Sequence, residues 1–570
     1  MVFLLVLCGG GCMAHEGRRI SSLAPVRMAA SVVLPAHTVG WRQVTCGALL
    51  AAHHINSGDE SFVQGLSTLV VPAANVSIAF VQDTNFEGKF ALKGYRISRL
   101  AGADFIIGPG RSASAAIALL GAVDKLPNMA VWASSPQLSN DKTYPFFSRT
   151  YPSDVSGTAA LVQLIHAFGW RHVALAHVND QYGNSFSHHL SEYAQISGLI
   201  EVVADMSFEE HAADFEPLLR QLDRSGATVI VVAAFDHDAG RLARRARELG
   251  LLSSGRYAWI LHDGVTQAAD DGEALDGMLR FGASPVGTPQ WQRFAAAWNS
   301  TPHSVCAAAS LSEEELSDVF ASDSAPYDVV SYAYDAMVAM AAAGRRALGV
   351  ARSGPSSSPS DRIEGDVLHR ELARVHFNGI SGRVSFDELG DRNASGLFWR
   401  LTNFQVDGIT GNLTTVQIST FELDQLRLSG VPNASSIRWI DRSMQPVDGY
   451  TGNSLFERTL LRSVVATLAT VVGLIVTALT LRYARRYHTL KHRRLQAIDE
   501  QVRNALTYAR TLQFTLVLVP AKTFLELGQL MTYEELRTRS MLRYVDDLSK
   551  QELLQTTVFF SHQWTGTHSC

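Results

Sequence analysis

Short apolar runs alternate with stretches of helical periodicity through the first two thirds of the chain. In ADFIIGPGRSASAAIALLGAVDKLPNMAVWASSPQLSND, the apolar run FII is stopped by Gly108, Pro109 and Gly110. RSASAAIALLGAV then spaces Ala116, Leu119, Leu120 and Val123 as a helix does, with Ser112 at the N-cap position. VWASS, between Pro127 and Pro136, predicts the next strand. A helix beginning at Asp154 carries Val155, Ala159, Val162 and Ile165 on one face, and HVALAHV predicts a third strand. Upstream, residues 15–40 show no periodicity and read as an arm, CGALLAAHHINS as a helix and VSIAFVQD as a strand. Downstream, EVVADMSF, TVIVVAAF and RYAWILHD predict strands separated by helices over 212–223 and 239–250. SAPYDVVSYAYDAMVAMAAAG follows as a long apolar helix.

Strands alternating with helices predict an α/β fold of parallel sheets with helices on both faces. In such sheets the loops after the strands form the ligand crevice. Those loops carry Ser112, Ser134, Ser135, Asp154 and Tyr182, which are hydroxyls and a carboxylate without a nucleophile–base pair. The expected chemistry is therefore binding, with no cofactor and no bond made or broken. The Gly108–Ser114 turn offers amide N–H groups and the Ser112 hydroxyl to an anion, and Ser134 adds a donor. Ser112 and Asp154 fit helix caps equally well, and Tyr182 also fits lobe packing. Asp236, His237 and Asp238, after TVIVVAAF, fit a polar loop better than a metal site. GPGRSAS lacks the third glycine of a dinucleotide-binding fingerprint.

The last third changes character. Ser463–Leu481 contains 19 residues without a charge, about 28 Å as a helix, and predicts a single transmembrane helix. Arg482, Arg485, Arg486, Lys491, Arg493 and Arg494 follow it, so the residues beyond are expected in the cytosol. Sequons at Asn75, Asn393, Asn412 and Asn433 all precede the span and favour an extracellular amino-terminal part, as in a single-pass type I protein of the plasma membrane. MVFLLVLCGGGCMA reads as a signal peptide over 1–14. With 570 residues, 46% hydrophobic, the chain has ample material for a large core. A net charge of −5 gives no basic field for nucleic acid. Of five cysteines only Cys46 and Cys306 lie in the body, and their pairing stays open.

The ordered set IIGPG-RSAS, ASSPQLS, YPFFSRTYPSD, FGW and QYG, completed by FNGISGRVSFDELGDRN at Phe377–Asn393, carries a family resemblance. It resembles the type I periplasmic-binding-protein fold, and more closely the extracellular ligand-binding module of class C G-protein-coupled receptors and natriuretic-peptide receptors, the ANF receptor region. The resemblance covers roughly Trp41 to Gly411. It implies two lobes that close on a small amino-acid-like or anionic ligand and signal across the membrane as a homo- or heterodimer. Asp154, Tyr182 and Asp263 are then the groups expected to hold an amine. Amino-acid-binding relatives carry a basic side chain near the end of the Ser/Pro loop, where this chain has Asp361 beside Arg362, and Ala113 replaces a hydroxyl. A cysteine-rich segment after the module is absent, which places the layout nearest the GABA-B type.

The expected organisation is a two-lobed ligand-binding region over 41–430, a juxtamembrane linker over 431–462, the membrane helix over 463–481 and a cytosolic helical region over 482–570. The ending TTVFFSHQWTGTHSC looks like the first strand and loop of a TIR-like domain, and the cytosolic effector is not legible. Two alternatives remain: an incomplete seven-helix class C receptor, and the receptor part of a truncated cyclase- or TIR-type signalling enzyme. A secreted solute-binding protein conflicts with the predicted span.

Overall fold

The computed structural model describes residues 26–450, apart from short breaks at 70–73, 84–87, 112, 253–254, 266–271, 322–324, 354–362, 410, 425, 431 and 441–443, and scattered residues between 470 and 544. The chain divides into two compact units, Met1–Thr451 and Gly452–Cys570.

Among the described residues, the first unit contains two large sheets, one in each lobe, and a two-stranded hairpin. Five strands build the first: β1 (Val26–Leu34), β2 (Ala74–Asp83), β3 (Phe105–Ile107), β4 (Asn128–Ala130) and β5 (Phe147–Arg149). All pair in parallel, in the order β2-β1-β3-β4-β5. The second sheet begins with β6 (His172–Val178), β7 (Glu201–Phe208), β8 (Val229–Ala233), β9 (Ala258–Leu261) and β10 (Leu279–Ala283). The hairpin β11 (His376–Gly379) and β12 (Gly382–Ser385) belongs to neither sheet. After it, β13 (Leu397–Val406), β14 (Leu413–Asp424) and β15 (Arg427–Leu428) extend the second sheet beyond β10, each antiparallel to the strand before it, giving the order β7-β6-β8-β9-β10-β13-β14-β15. The chain crosses between lobes after β5, after β10 and before β13.

The predicted α/β architecture is present, with three local differences. Residues 26–34, read as part of an arm, form β1, a strand flanked by β2 and β3. Met28, Ala30, Val32, Val33 and Leu34 are all buried, so VRMAASVVL shows no alternation because both of its faces are covered. VWASS is not the fourth strand: pairing ends at Ala130, and Val131–Ser135 forms the loop beyond, held by one bridge between Gly110 and Trp132. On the helix Ala113–Asp124 the buried face is Ala113, Ser114, Ile117, Ala118 and Gly121, whereas Leu119 and Val123 point outward.

The segment read as a linker from 431 also belongs to the second lobe as far as Tyr450. Trp439 and Ile440 are buried in the core. Trp170 Nε1 donates to the Pro446 carbonyl (2.8 Å), and Asp448 accepts from the amides of Arg171 and His172. In the first lobe the long helix Val329–Ser353 packs on Val39–Ser57, and a disulfide joins Cys46 to Cys306.

The FNGISG motif has a structural reason. Buried Asp335, on the long helix, accepts from the amides of Ile380 (2.9 Å) and Ser381 (2.8 Å) and from the Ser381 hydroxyl. A Cβ at Gly379 would lie 2.4 Å from both Asp335 oxygens, so only glycine lets the turn close on the carboxylate.

The described parts of the second unit include helices Ala521–Leu527 and Tyr533–Thr538 and an antiparallel pairing of Val517–Leu518 with Arg543–Tyr544. Most of Ser463–Leu481, the segment 1–14 and the TIR-like ending lie outside the described residues. Among the described residues no helix is long and apolar enough to cross a membrane.

Candidate functional site

The cleft between the lobes is built from the ends of strands. Lobe 1 contributes Arg111 from the turn after β3, and Trp132, Ala133, Ser134 and Ser135 from the loop after β4. Lobe 2 contributes Gln181 and Tyr182 after β6, Phe235 after β8, and Asp263 and Gly264 after β9. Together they line a narrow cavity of about 20 Å³, so the two walls lie close together in this structure. This is the crevice expected at the carboxyl ends of parallel strands.

Two buried carboxylates lie at the cleft in opposite states. Asp263 accepts from Tyr151 (2.7 Å), Tyr182 (2.9 Å) and His262 Nδ1 (2.7 Å). Burial alone would raise its pKa, but His262 and the two tyrosine hydroxyls outweigh that and bring it down to about 2. Tyr151 stands on the first crossover between the lobes, so its bond to Asp263 ties the crossover to lobe 2. Asp154 opens the helix Asp154–Ala167, whose N-cap is Ser153 rather than Asp154. Its amide donates to the Ser134 carbonyl (2.8 Å), while among the described residues neither carboxylate oxygen has a partner of hydrogen-bond geometry. Burial, and then the charge of Asp263, push its pKa up to about 7; the Ser134 hydroxyl is among the groups that restrain the rise. The cap reading of Asp154 thus fails: Ser153 caps, and Asp154 is a buried acid near the Ser134 hydroxyl whose oxygens make no hydrogen bond of good geometry among the described residues.

Of the expected site residues, the structure brings Ser134, Tyr182 and Asp263 into one cleft and sets Asp154 directly behind Ser134. Ser112 lies outside the described residues, as do Asp361 and Arg362. Tyr182 is committed to Asp263, His262 and the Gly264 amide, so it serves chiefly to orient Asp263. Among the sequons, Asn412 and Asn433 are exposed, and Asn75 falls within β2. Asn393 is half-buried, with Nδ2 donating to Ser385 Oγ (3.0 Å).

Arg111 was missed by sequence reasoning. Its backbone is left-handed (φ 54°), and its guanidinium lies 3.4 Å from the centre of the Phe235 ring and 5.3 Å from Trp132. Glu210, also on lobe 2, is 3.9 Å away. A lobe-1 cation therefore spans the cleft and rests on a lobe-2 ring. Its signal was present in GPGRSAS, where a large cation occupies a turn of otherwise small residues. Replacing it, Arg111→Met, is expected to cost about 1–2 kcal/mol through the lost ring contact. The readouts are a lower melting temperature and a larger radius of gyration in solution scattering. Equal values for the two proteins would show that the contact does not hold the lobes together.

Among the described residues, two groups of metal-ligating side chains lie outside this cleft lining, His188, His189 and Glu192 on one helix, and His211, His237 and Asp238 near the lobe-2 rim.

Comparison with known proteins agrees with this geometry. The family profile described as the receptor family ligand binding region matches residues 54–402. Metabotropic glutamate receptor-like protein E of Dictyostelium discoideum is 27% identical over 300 residues, covering 50% of this chain and 34% of that protein. Metabotropic glutamate receptor 4 of Macaca fascicularis is 26% identical over 319 residues, covering 50% and 34%. Glutamate receptor 2.1 of Arabidopsis thaliana is 26% identical over 306 residues, covering 49% and 31%. The match spans about a third of the length of each relative. None of these three is a GABA-B receptor, so the GABA-B-like layout rests only on the missing cysteine-rich segment. The two-lobed module with its interlobe cleft belongs to the receptor family ligand-binding region.

Proposed function

We propose that this chain is a cell-surface receptor whose two lobes close on a small zwitterion of the amino-acid class. The observation that carries the reading is Asp154, a fully buried carboxyl without a hydrogen-bond partner among the described residues, behind a cleft that also holds a cation. An ammonium group placed between Asp154 and Asp263 would meet two acids, and the cleft's aromatic faces would cover it. Arg111 would meet a carboxylate at the opposite end through its guanidinium, since the amides of Gly108, Arg111 and Ser114 already donate to the carbonyls of Met129, Trp132 and Arg111. The names of the relatives, two metabotropic glutamate receptors or receptor-like proteins and a plant glutamate receptor, support the same ligand class. The proposed chemistry is recognition without catalysis.

Closure would be favoured by the difference in ligand affinity between open and closed lobes. Transmission across the membrane through Ser463–Leu481, an extracellular location of the lobes, and glycans at exposed Asn412 and Asn433 complete the proposal. Dimerisation is supported by Leu92, Leu100, Leu119 and Val123, exposed apolar residues of two contacting lobe-1 helices, Gly88–Leu100 and Ala113–Asp124.

The test is thermal melting of the full chain against single amino acids, γ-aminobutyrate and small inorganic anions. A shift from an amino acid, lost in Ser134→Ala, is the expected result. A shift from inorganic anions alone, or none from any probe, would overturn the reading.

A further inference from the structure

The loop polarity around His237 has a more specific arrangement than the sequence suggested. His211 lies in the turn after β7 with a left-handed backbone (φ 61°), and His237 and Asp238 lie in the first turn of the helix Asp236–Glu248. The Nδ1 atoms of His211 and His237 are 3.4 Å apart, and His237 Nδ1 is 3.4 Å from Asp238 Oδ1. All three ligand atoms fall within 4.8 Å of one another. In a tetrahedral zinc site with metal–ligand bonds of about 2.0–2.1 Å, neighbouring ligand atoms are about 3.3 Å apart. Two edges of that tetrahedron are thus already set before any ion arrives.

The support for the ligands is also built in. Asp238 is buried, and its Oδ2 accepts from the His211 amide (3.0 Å). That bond orients the carboxylate and leaves Oδ1 facing the His237 imidazole, the kind of supporting hydrogen bond that fixes metal ligands. It also stabilises the left-handed backbone that brings the His211 ring toward His237. The two imidazole rings are largely exposed, so an ion can enter from solvent.

We propose that His211 Nδ1, His237 Nδ1 and Asp238 Oδ1 bind one zinc ion, with a fourth position open to water or an external ligand. The site adjoins the lobe-2 wall of the cleft on both sides. Glu210, which faces Arg111, immediately precedes His211, and Phe235, on which Arg111 rests, stands two residues before His237. Bound zinc would fasten these two segments to each other and hold the surface that Arg111 meets. The metal site stands on its own geometry, whereas an effect on ligand closure rests on the receptor reading.

The experiment is calorimetric titration of the full chain with Zn2+ alone, alongside the visible spectrum with Co2+, for wild type, His211→Ala, His237→Ala and the double variant His188→Ala/His189→Ala. His237→Ala is the decisive variant because its ring is exposed and its loss leaves the Asp238–His211 bond intact. Wild type and the double variant are expected to share a zinc site and a tetrahedral cobalt spectrum. His211→Ala and His237→Ala are expected to weaken that site at least 100-fold while their metal-free melting temperatures stay near wild type. Zinc binding unchanged in His237→Ala, lost instead in the double variant, or absent from wild type at micromolar Zn2+ would overturn the proposal. None of these outcomes depends on which small molecule the cleft binds.

Discussion

Asp154→Asn is expected to stabilise the ligand-free protein at pH 8 while weakening amino-acid binding at least 100-fold. The sign follows from linkage. Burial raises the folded pKa of Asp154 from 3.8 to about 7. Below the unfolded value both states are protonated and the group carries no penalty. As pH rises toward 7 the unfolded chain ionises first, so stability is lost through that window and levels off above it. A shift of this size corresponds to a penalty of up to about 4 kcal/mol. Asparagine keeps the shape and removes the charge, so the variant's melting temperature should be higher at pH 8 and flatter between pH 4 and 8. A ligand ammonium needs that charge, which gives the opposite effect on binding, a trade-off between stability and function. A melting temperature at pH 8 equal to or below wild type would show that Asp154 is not the strained acid described.

Arg149→Met is expected to cost about 3–5 kcal/mol and to remove ligand binding through the Ser134 loop. Arg149 is fully buried at the end of β5. Its Nε and Nη2 donate to the two oxygens of Asp391 (2.8 Å each), and Nη2 also reaches the Ser139 hydroxyl. Nη1 donates to the carbonyls of Ala133 (3.1 Å) and Ser135 (2.9 Å), the residues on either side of Ser134. Methionine would leave Asp391 without its cation and the loop without its anchor. Breaking one side of a buried pair costs more than replacing both, so Arg149→Met/Asp391→Leu should recover part of the lost melting temperature. Equal stability of Arg149→Met and wild type would rule out this anchoring role.

The same pair shows how far the sequence could be read. YPFFSRTYPSD and FDELGDRN were recognisable as markers, yet nothing in either shows that Arg149 of the first meets Asp391 of the second across 242 residues. The strands β6 and β7 were legible to the residue because HVALAHV and EVVADMSF are compact β-rich runs. The strand β1 was not, because burial on both faces removes the alternation that marks a strand. The helix Ala113–Asp124 is legible in the sequence, but its face is not: size favours the leucines and valine as core, whereas Ile117, Ala118 and Gly121 allow the close approach. At the site, the loop positions of Ser134, Tyr182 and Asp263 followed from strand endings. The roles did not: Tyr182 and Tyr151 orient Asp263, and Arg111 spans the cleft, because both depend on contacts between distant segments. The helix read over 239–250 begins instead at Asp236, which puts His237 and Asp238 in its first turn. His211 lies 26 residues earlier in sequence, so the possible metal cluster was visible only in the fold.

The most direct test of the central claim is calorimetric titration of the full chain at pH 7 with the amino acid that gives the largest thermal shift. The titration is run in phosphate and in Tris, whose ionisation enthalpies differ. At that pH Asp154 is close to half protonated, so an arriving ammonium should expel about 0.5 proton. The predicted result is a binding heat that differs between the buffers for wild type, with binding by Asp154→Asn at least 100-fold weaker. Identical heats in the two buffers, together with unweakened binding by Asp154→Asn, would contradict the account and remove Asp154 from the site.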